Sequence, residues 1–318
     1  MRIDHAQLRA LAAVVREGSF ERAATALHVT PSAISQRIKA LEDRVGRLLV
    51  QRTSPATATA EGHILVRLAE QTALLEHDAL VRIGIDDQAL PRASIPVAVN
   101  HDSLETWFPE AAMQFGRRVH ATLDLHVEDQ DHTATLLRRG EVLGAVTTLA
   151  EAVQGCQIHP LGSIRYVATC TPDFNARHFA KGVNAASRAQ APVLRFNRKD
   201  DLQARHARRL AGGDLPLRPP VWWIPSTRAF VHANLAGLGW TMNPLPLVRR
   251  HLETGRLVYL RQRFYEDVPL YWPPWKGQIQ GMDVLTGEVI AASAALVRKR
   301  RRGARRRRRP RPRERARP

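Results

Sequence analysis

The chain has 318 residues, enough for two or three domains of roughly 100 to 200 residues each. Its 44% hydrophobic and 25% charged content is that of an ordinary globular protein and not of a fibrous or disordered one. The formal net charge of +18 is unevenly spread: residues 298–318 hold thirteen Arg, one Lys and one Glu, a net +13, which leaves only +5 for the other 297 residues.

Residues 5 to 17 form the first predicted helix, with Leu8, Leu11 and Val15 on one face and Gly18 as its stop. Ser19 is an N-cap for a second helix that turns Ala23, Ala24 and Leu27 inward, although Arg22 stands where a capping box wants Glu. The tight connection "HVT" leads to Thr30, the cap of a third helix, with Pro31 at its first position, where a missing N–H costs nothing. Three short helices joined in this way spell helix-turn-helix. In the third, Ile34, Ile38, Leu41 and Val45 share one side at helical spacing. Ser32, Gln36, Lys39 and Asp43 take the opposite side, with Ser35 between and Arg37 on the flank. Any solvated amphipathic helix shows such a split. Here, however, the polar side near the N-terminus is short, uncharged and hydrogen-bonding, the chemistry that meets base edges, while Lys and Arg meet phosphates or guanine.

After Gly46, "RLLVQRTSPATATAEG" reads as a β-hairpin, a wing beside the three helices. Arg52 near its tip is suited to a minor groove or a phosphate, or is a plain surface arginine. A helix from about Thr59 to Ile85 follows. Leu65, Leu68, Thr72, Leu75 and Ala79 step by three and four along it, a coiled-coil-like seam. At 1.5 Å per residue it spans about 40 Å, and pairing with a second copy is its simplest use. The connector "GIDDQALPRAS" then gives way to short apolar strands alternating with helices. These are "IPVAVN", a helix from about 103 to 115, "ATLDLHV", a helix from about 131 to 139, and "LGAVTT". Strands "RYVATC", "PVLRFN" and "PPVWWIP" continue the series, then a helix near 227 to 236, "GWTMNP", "LVYL" and "VPLYWPPW". A last helix runs from about 282 to 299. The alternation predicts an α/β fold with mainly parallel strands.

The two cysteines, Cys156 and Cys170, have no Cys-x-x-Cys spacing, so reduced thiols are expected. The start lacks the features of a secretory leader, and no uncharged apolar run approaches the 18 or so residues of a membrane helix. A cytoplasmic, nucleoid-associated location is expected. Phosphate-binding, hydrolase and metalloprotease motifs are missing from the sequence, and the thirteen histidines are scattered, His126 and His132 included. Neither a metal, a cofactor nor an enzyme is expected.

The stretch "FERAATALHVTPSAISQRIKALEDRVGRLLVQRT" resembles the N-terminus of LysR-type transcriptional regulators, and the likeness extends to about residue 297. Within that family, "AVNHDSLETWF", "VEDQDHTATLLRRGEVLGAVTT", "VQGCQIHPLGSIRYV" and "VPLYWPPWK" resemble the ArgP/LysG branch, whose members sense basic amino acids and control arginine or lysine export genes. The resemblance implies a winged helix-turn-helix in residues 1–58, a dimerising linker helix in 59–88 and a two-lobed α/β effector domain of the periplasmic-binding-protein type. Its first lobe would comprise 92–164 and 267–297, its second 165–266, with the Arg-rich tail 298–318 disordered. It also implies a homodimer, itself assembled into a tetramer, on double-stranded promoter DNA, with RNA polymerase as a further partner. Ser32, Ser35, Gln36 and Arg37 would then read or approach bases, Thr30, Lys39 and Thr53 would hold phosphates, and Arg52 would make the wing contact. The effector, lysine, arginine or histidine, would lie between the lobes at strand C-terminal ends.

By position, Ser103 follows "VAVN" at a helix start, where free N–H groups favour a carboxylate, and Asn100 and Asp102 flank it. Thr147 and Thr148 end "GAVTT", and Ser226 and Thr227 open a second-lobe helix. Asp102, Glu128 and Asp129 are candidates for the effector's cations, though a cap or surface carboxylate is the commoner fate of such a residue. The arginine tail departs from the family pattern; it adds non-specific phosphate contacts or merely solubilises. A non-specific architectural DNA binder is the competing reading, and a periplasmic solute-binding protein a third, which the helix-turn-helix contradicts.

Overall fold

The computed structural model describes residues 3–296 apart from 91, 129, 140, 152, 199–201, 203–204, 206–218, 263 and 278. The expectations for Asp129 and for the tail at 298–318 lie outside the described residues.

Helices α1 (His5–Glu17), α2 (Phe20–Ala26) and α3 (Pro31–Val45) close around one small core. Leu8, Leu11, Ile34, Ile38 and Leu41 are buried as predicted. On α1 the inward position is Val14, three residues after Leu11, and Val15 is only partly buried. All three caps form: Asp4, Ser19 and Thr30 accept from the backbone N–H of Ala6, Arg22 and Ala33. The wing is the two-stranded antiparallel pair β1 (Val50–Gln51) and β2 (Thr57–Ala58). Glu42 on α3 fixes it, its Oε1 accepting from the backbone N–H of Leu49 at 2.8 Å and of Val50 at 3.3 Å. Helix α4 (Ala60–Arg82) starts hard against the wing; a Cβ on Gly62 would sit 2.0 Å from the Leu49 carbonyl oxygen, so only glycine permits this approach.

The rest of the chain is two α/β units. In the first, β3 (Ala93–Val99) lies between β4 (Ala121–Val127) and β5 (Gly144–Ala145), all parallel. As a central strand β3 is buried on both faces over Ile95–Val99, hence its continuous apolar run. The helix expected from 103 to 115 is in fact two, α5 (His101–Leu104) and α6 (Phe108–Arg118). Pro109 has no N–H to donate to the residue four before it, so the helix restarts with proline in its first turn. Helix α7 (Gln130–Arg139) completes the crossover to β5.

The chain then leaves by β6 (His159–Cys170) and returns by β11 (Tyr265–Trp272), paired antiparallel along their length. Strands β9 (Thr241–Pro244) and β10 (Val258–Tyr259) also pair antiparallel with β6. The expectation of mainly parallel strands is therefore corrected: the longest ladder is antiparallel, because an outgoing and a returning strand link the two units. In the second unit β7 (Val193–Arg195) and β8 (Val221–Trp223) are parallel. Around them lie α8 (Pro172–Phe179), α9 (Ala185–Gln190), α10 (Thr227–Leu235) and α11 (Leu245–Glu253). Helix α12 (Gln280–Ala292) returns to pack beside α6, ending in a 3-10 turn at Ser293–Ala295, earlier than the expected residue 299. Trp272 is fully buried over β5, and a Cβ on Gly144 would lie 2.6 Å from its ring. Among the described residues no helix is long and apolar enough to cross a membrane.

Candidate functional site

The first candidate surface is α3 with its wing. Burial of Ile34, Ile38 and Leu41 turns the opposite side outward, so Ser32, Gln36 and Lys39 are exposed, and Ser35 and Arg37 partly so. Thr30 is committed to the cap, accepting from Ala33 N at 3.2 Å, and its hydroxyl lies 3.0 Å from that of Ser32. The helix start thus presents two hydroxyls beside Gln36, with cations on both flanks. Arg52 is exposed on the wing while its guanidinium packs 5.3 Å from the Phe20 ring, which ties wing and α2 together. Thr53 donates to the Pro55 carbonyl at 2.7 Å and so shapes the wing tip. Ser32, Gln36 and Lys39 lie opposite the buried Ile34, Ile38 and Leu41, with Ser35 and Arg37 on the two flanks, a chemistry suited to a major groove.

The second lies along the C-terminal edge of the β4–β3–β5 sheet. Parallel register places the ends of the three strands together: Val99 opposite Val127, and Ala98 opposite Ala145. That brings Asn100–Ser103, Glu128 and Thr147–Thr148 to one edge. Asn100 caps α5, its Oδ1 accepting from Ser103 N at 2.8 Å. Its Nδ2 and the Ser103 Oγ are buried without a hydrogen-bond partner among the described residues. A buried donor left unpaired costs about 1–3 kcal/mol, so a polar partner reaching these two would be stabilising. With α5 a single turn, these side chains and not a helix dipole supply the polarity. Thr147 is buried, exchanges both backbone hydrogen bonds with Tyr271 of β11, and accepts from Leu149 N at 3.2 Å. Thr148 is partly buried, and Glu128 is exposed at the rim.

Asp102 is engaged on both oxygens. Its Oδ2 accepts from Tyr166 Oη at 2.5 Å and its Oδ1 from Thr227 Oγ1 at 3.1 Å. Thr227 opens α10 behind Ser226, which is exposed and accepts from Ala229 N at 3.3 Å. A buried network holds α10 in place: Asn234 Oδ1 accepts from Thr169 Oγ1 at 2.8 Å and Asn243 Nδ2 at 3.1 Å, and Asn234 Nδ2 donates to the Gly239 carbonyl at 2.9 Å. Sequence reasoning missed Tyr166, and it missed His101 and Phe196, whose rings stand 4.9 Å apart. Nearby on the crossing strands Arg165 pairs with Asp267 at 2.8 and 2.9 Å, and this hydrogen bonding holds its guanidinium above the ordinary arginine range.

On α4 the expected seam splits. Leu68, Leu75 and Ala79 are exposed, the leucines by 40% and 43%. Leu65, in contrast, packs partly into the helix-turn-helix core, and Thr72 is half-buried with its hydroxyl donating to the Leu68 carbonyl. Ile64, Ile83 and Ile85 are exposed as well, so the open apolar stripe extends past both ends of the predicted one. The opposite face, Val66, Ala69 and Leu74, is buried in the same chain.

Residues 5–63 match the family described as bacterial regulatory helix-turn-helix protein, lysR family, and residues 88–277 match the LysR substrate binding domain. The HTH-type transcriptional regulator LysG of Mycobacterium tuberculosis is 46% identical over 299 residues, covering 93% of this chain and 95% of that protein. The crystal structure of ArgP from Mycobacterium tuberculosis aligns with a TM-score of 0.80 at 45% identity, covering 94% of this chain and 100% of that one. Full-length LysG from Corynebacterium glutamicum with bound effector Arg aligns with a TM-score of 0.70 at 38% identity, over 93% and 100% of the two chains. Two family matches that together span most of the sequence, and near-complete alignment with these relatives, establish that the chain belongs to the LysR family of helix-turn-helix transcriptional regulators, and is not an enzyme.

Proposed function

We propose that this regulator responds to a basic amino acid, lysine, arginine or histidine, held in the cleft between its two α/β units, and that it controls a gene for amino-acid export. The observation that carries the reading is the pair of buried donors without a partner among the described residues, Asn100 Nδ2 and Ser103 Oγ, which flank Asp102 in the chain. An amino-acid ligand supplies a carboxylate for the two donors and an ammonium for the acid. LysG of Corynebacterium glutamicum is named for lysine export and its structure is described with bound effector Arg, which fits that chemistry. Glu128, exposed just beyond the end of β4, is the candidate for a distal cation.

On DNA, the reading assigns Ser32, Ser35, Gln36 and Arg37 to bases, Thr30, Lys39 and Thr53 to phosphates and Arg52 to the wing contact. Two copies pair through α4, with Leu68 and Leu75 central, and two pairs form a tetramer spanning successive grooves. Such an assembly switches only if the ligand favours one arrangement of subunits by a real free-energy difference. Calorimetric titration of the full chain with all twenty amino acids tests the effector. Heat from basic amino acids alone supports it, and heat from none of them removes it.

A further inference from the structure

Asp102 is tied to both α/β units at once. It belongs to α5, at the end of β3 in the first unit, yet its Oδ1 accepts from Thr227, the first residue of α10 in the second. Its Oδ2 accepts from Tyr166 on β6, the strand that crosses between them. The preceding residue makes a second crossing: the His101 ring stands 4.9 Å from Phe196, which follows β7 and faces Phe230 of α10 at 6.5 Å. Thr227 is 5% exposed, and a hydrogen bond shielded from water in this way is stronger than one at the surface. Two consecutive residues therefore hold α5 against α10.

We infer that the Asp102–Thr227 hydrogen bond is a latch that closes the two units on an empty cleft, and that a ligand's ammonium group competes with the Thr227 hydroxyl for Asp102 Oδ1. The second half of this inference rests on the amino-acid reading of the cleft. A hydroxyl offers the carboxylate one neutral donor, whereas an ammonium offers three donors and a full charge. The ammonium therefore takes Oδ1, Tyr166 retains Oδ2, and α10 is released from α5. The difference in free energy that a switch requires is placed at one carboxylate oxygen.

Thr227→Val removes the donor while keeping the side chain's shape, and leaves Asp102 and Tyr166 in place. In the ligand-free full chain, amide exchange across Thr227–Leu235 is expected to quicken several-fold, as helix α10 opens more often. Affinity for the amino acid is expected to rise about three- to tenfold, because the closed fraction no longer reduces it. Thr227→Ser restores both values. Unchanged exchange overturns the latch; unchanged or weaker binding overturns the competition and makes Thr227 a plain ligand donor or cap residue. If the wild type binds no lysine, arginine or histidine, the amino-acid reading falls, and the exchange comparison still decides the latch.

Discussion

Replacing Ser103 with alanine separates a ligand-binding hydroxyl from a structural one, because the two roles carry opposite signs. Ser103 is fully buried, and its Oγ has no hydrogen-bond partner among the described residues. Its backbone N–H is already satisfied by Asn100 Oδ1 at 2.8 Å, so the cap of α5 does not depend on the hydroxyl. An unsatisfied buried hydroxyl costs about 1–3 kcal/mol, and alanine removes it while retaining the Cβ. Ligand-free Ser103→Ala is therefore expected to gain about 1 kcal/mol, a rise of about 2–4 °C in Tm for a domain of this size. With a ligand carboxylate present the same change forfeits a charge-assisted hydrogen bond of about 1.5–3 kcal/mol. That corresponds to a Kd weaker by about ten- to a hundredfold. Scanning calorimetry on the ligand-free protein and isothermal titration with arginine read the two effects separately. A variant that is less stable than wild type and binds arginine unchanged would refute the reasoning, since the hydroxyl would then be holding the fold.

Other positions give equally direct tests. Leu68 and Leu75 are 40% and 43% exposed on α4; covering that remainder is worth about 0.8 kcal/mol per leucine, about 3 kcal/mol over the four of a pair. Truncating both to alanine should weaken self-association about a hundredfold by sedimentation equilibrium, and an unchanged dissociation constant would put the interface elsewhere. Gln36→Ala should cost about 1–3 kcal/mol on the operator with little effect on random DNA, whereas Lys39→Ala should weaken both and reduce the salt slope by about 0.9; equal losses on both DNAs from Gln36→Ala would deny it a base contact. Burial pushes the Cys170 thiol up to about 12, so native protein at pH 8 should resist thiol reagents at that position until denaturant is added; rapid labelling of the folded chain would contradict the buried site.

The helix-turn-helix was legible because its signals are local. Caps, a proline at the first helical position and three isoleucine or leucine positions on one face suffice to place α3, and those three positions are fully buried. The α/β units were legible in kind but not in pairing, since periodicity along a strand carries no information about the direction of its neighbour; hence the antiparallel β6–β11 ladder came from structure alone. The break between α5 and α6 had a visible signal in Pro109 that the apolar pattern of "LETWF" outweighed. The rule of strand C-terminal ends picked out Asn100, Ser103 and Thr147, which the parallel register does bring to one edge of the sheet. The partners of Asp102 stand 64 and 125 positions away in the chain, and no local rule connects them. On α4, the spacing of three and four found Leu68 and Leu75 but counted Leu65 with them, although the helix-turn-helix core claims part of its surface.

The most direct test of a basic-amino-acid switch is nuclease footprinting of the full chain on its own promoter, with and without lysine, arginine or histidine, alongside transcription from the same template. A footprint that changes in length or in its enhanced-cleavage sites with one of these amino acids, together with a change in transcript yield, is the expected result. An identical footprint and identical yield at saturating concentrations of all three would contradict the account.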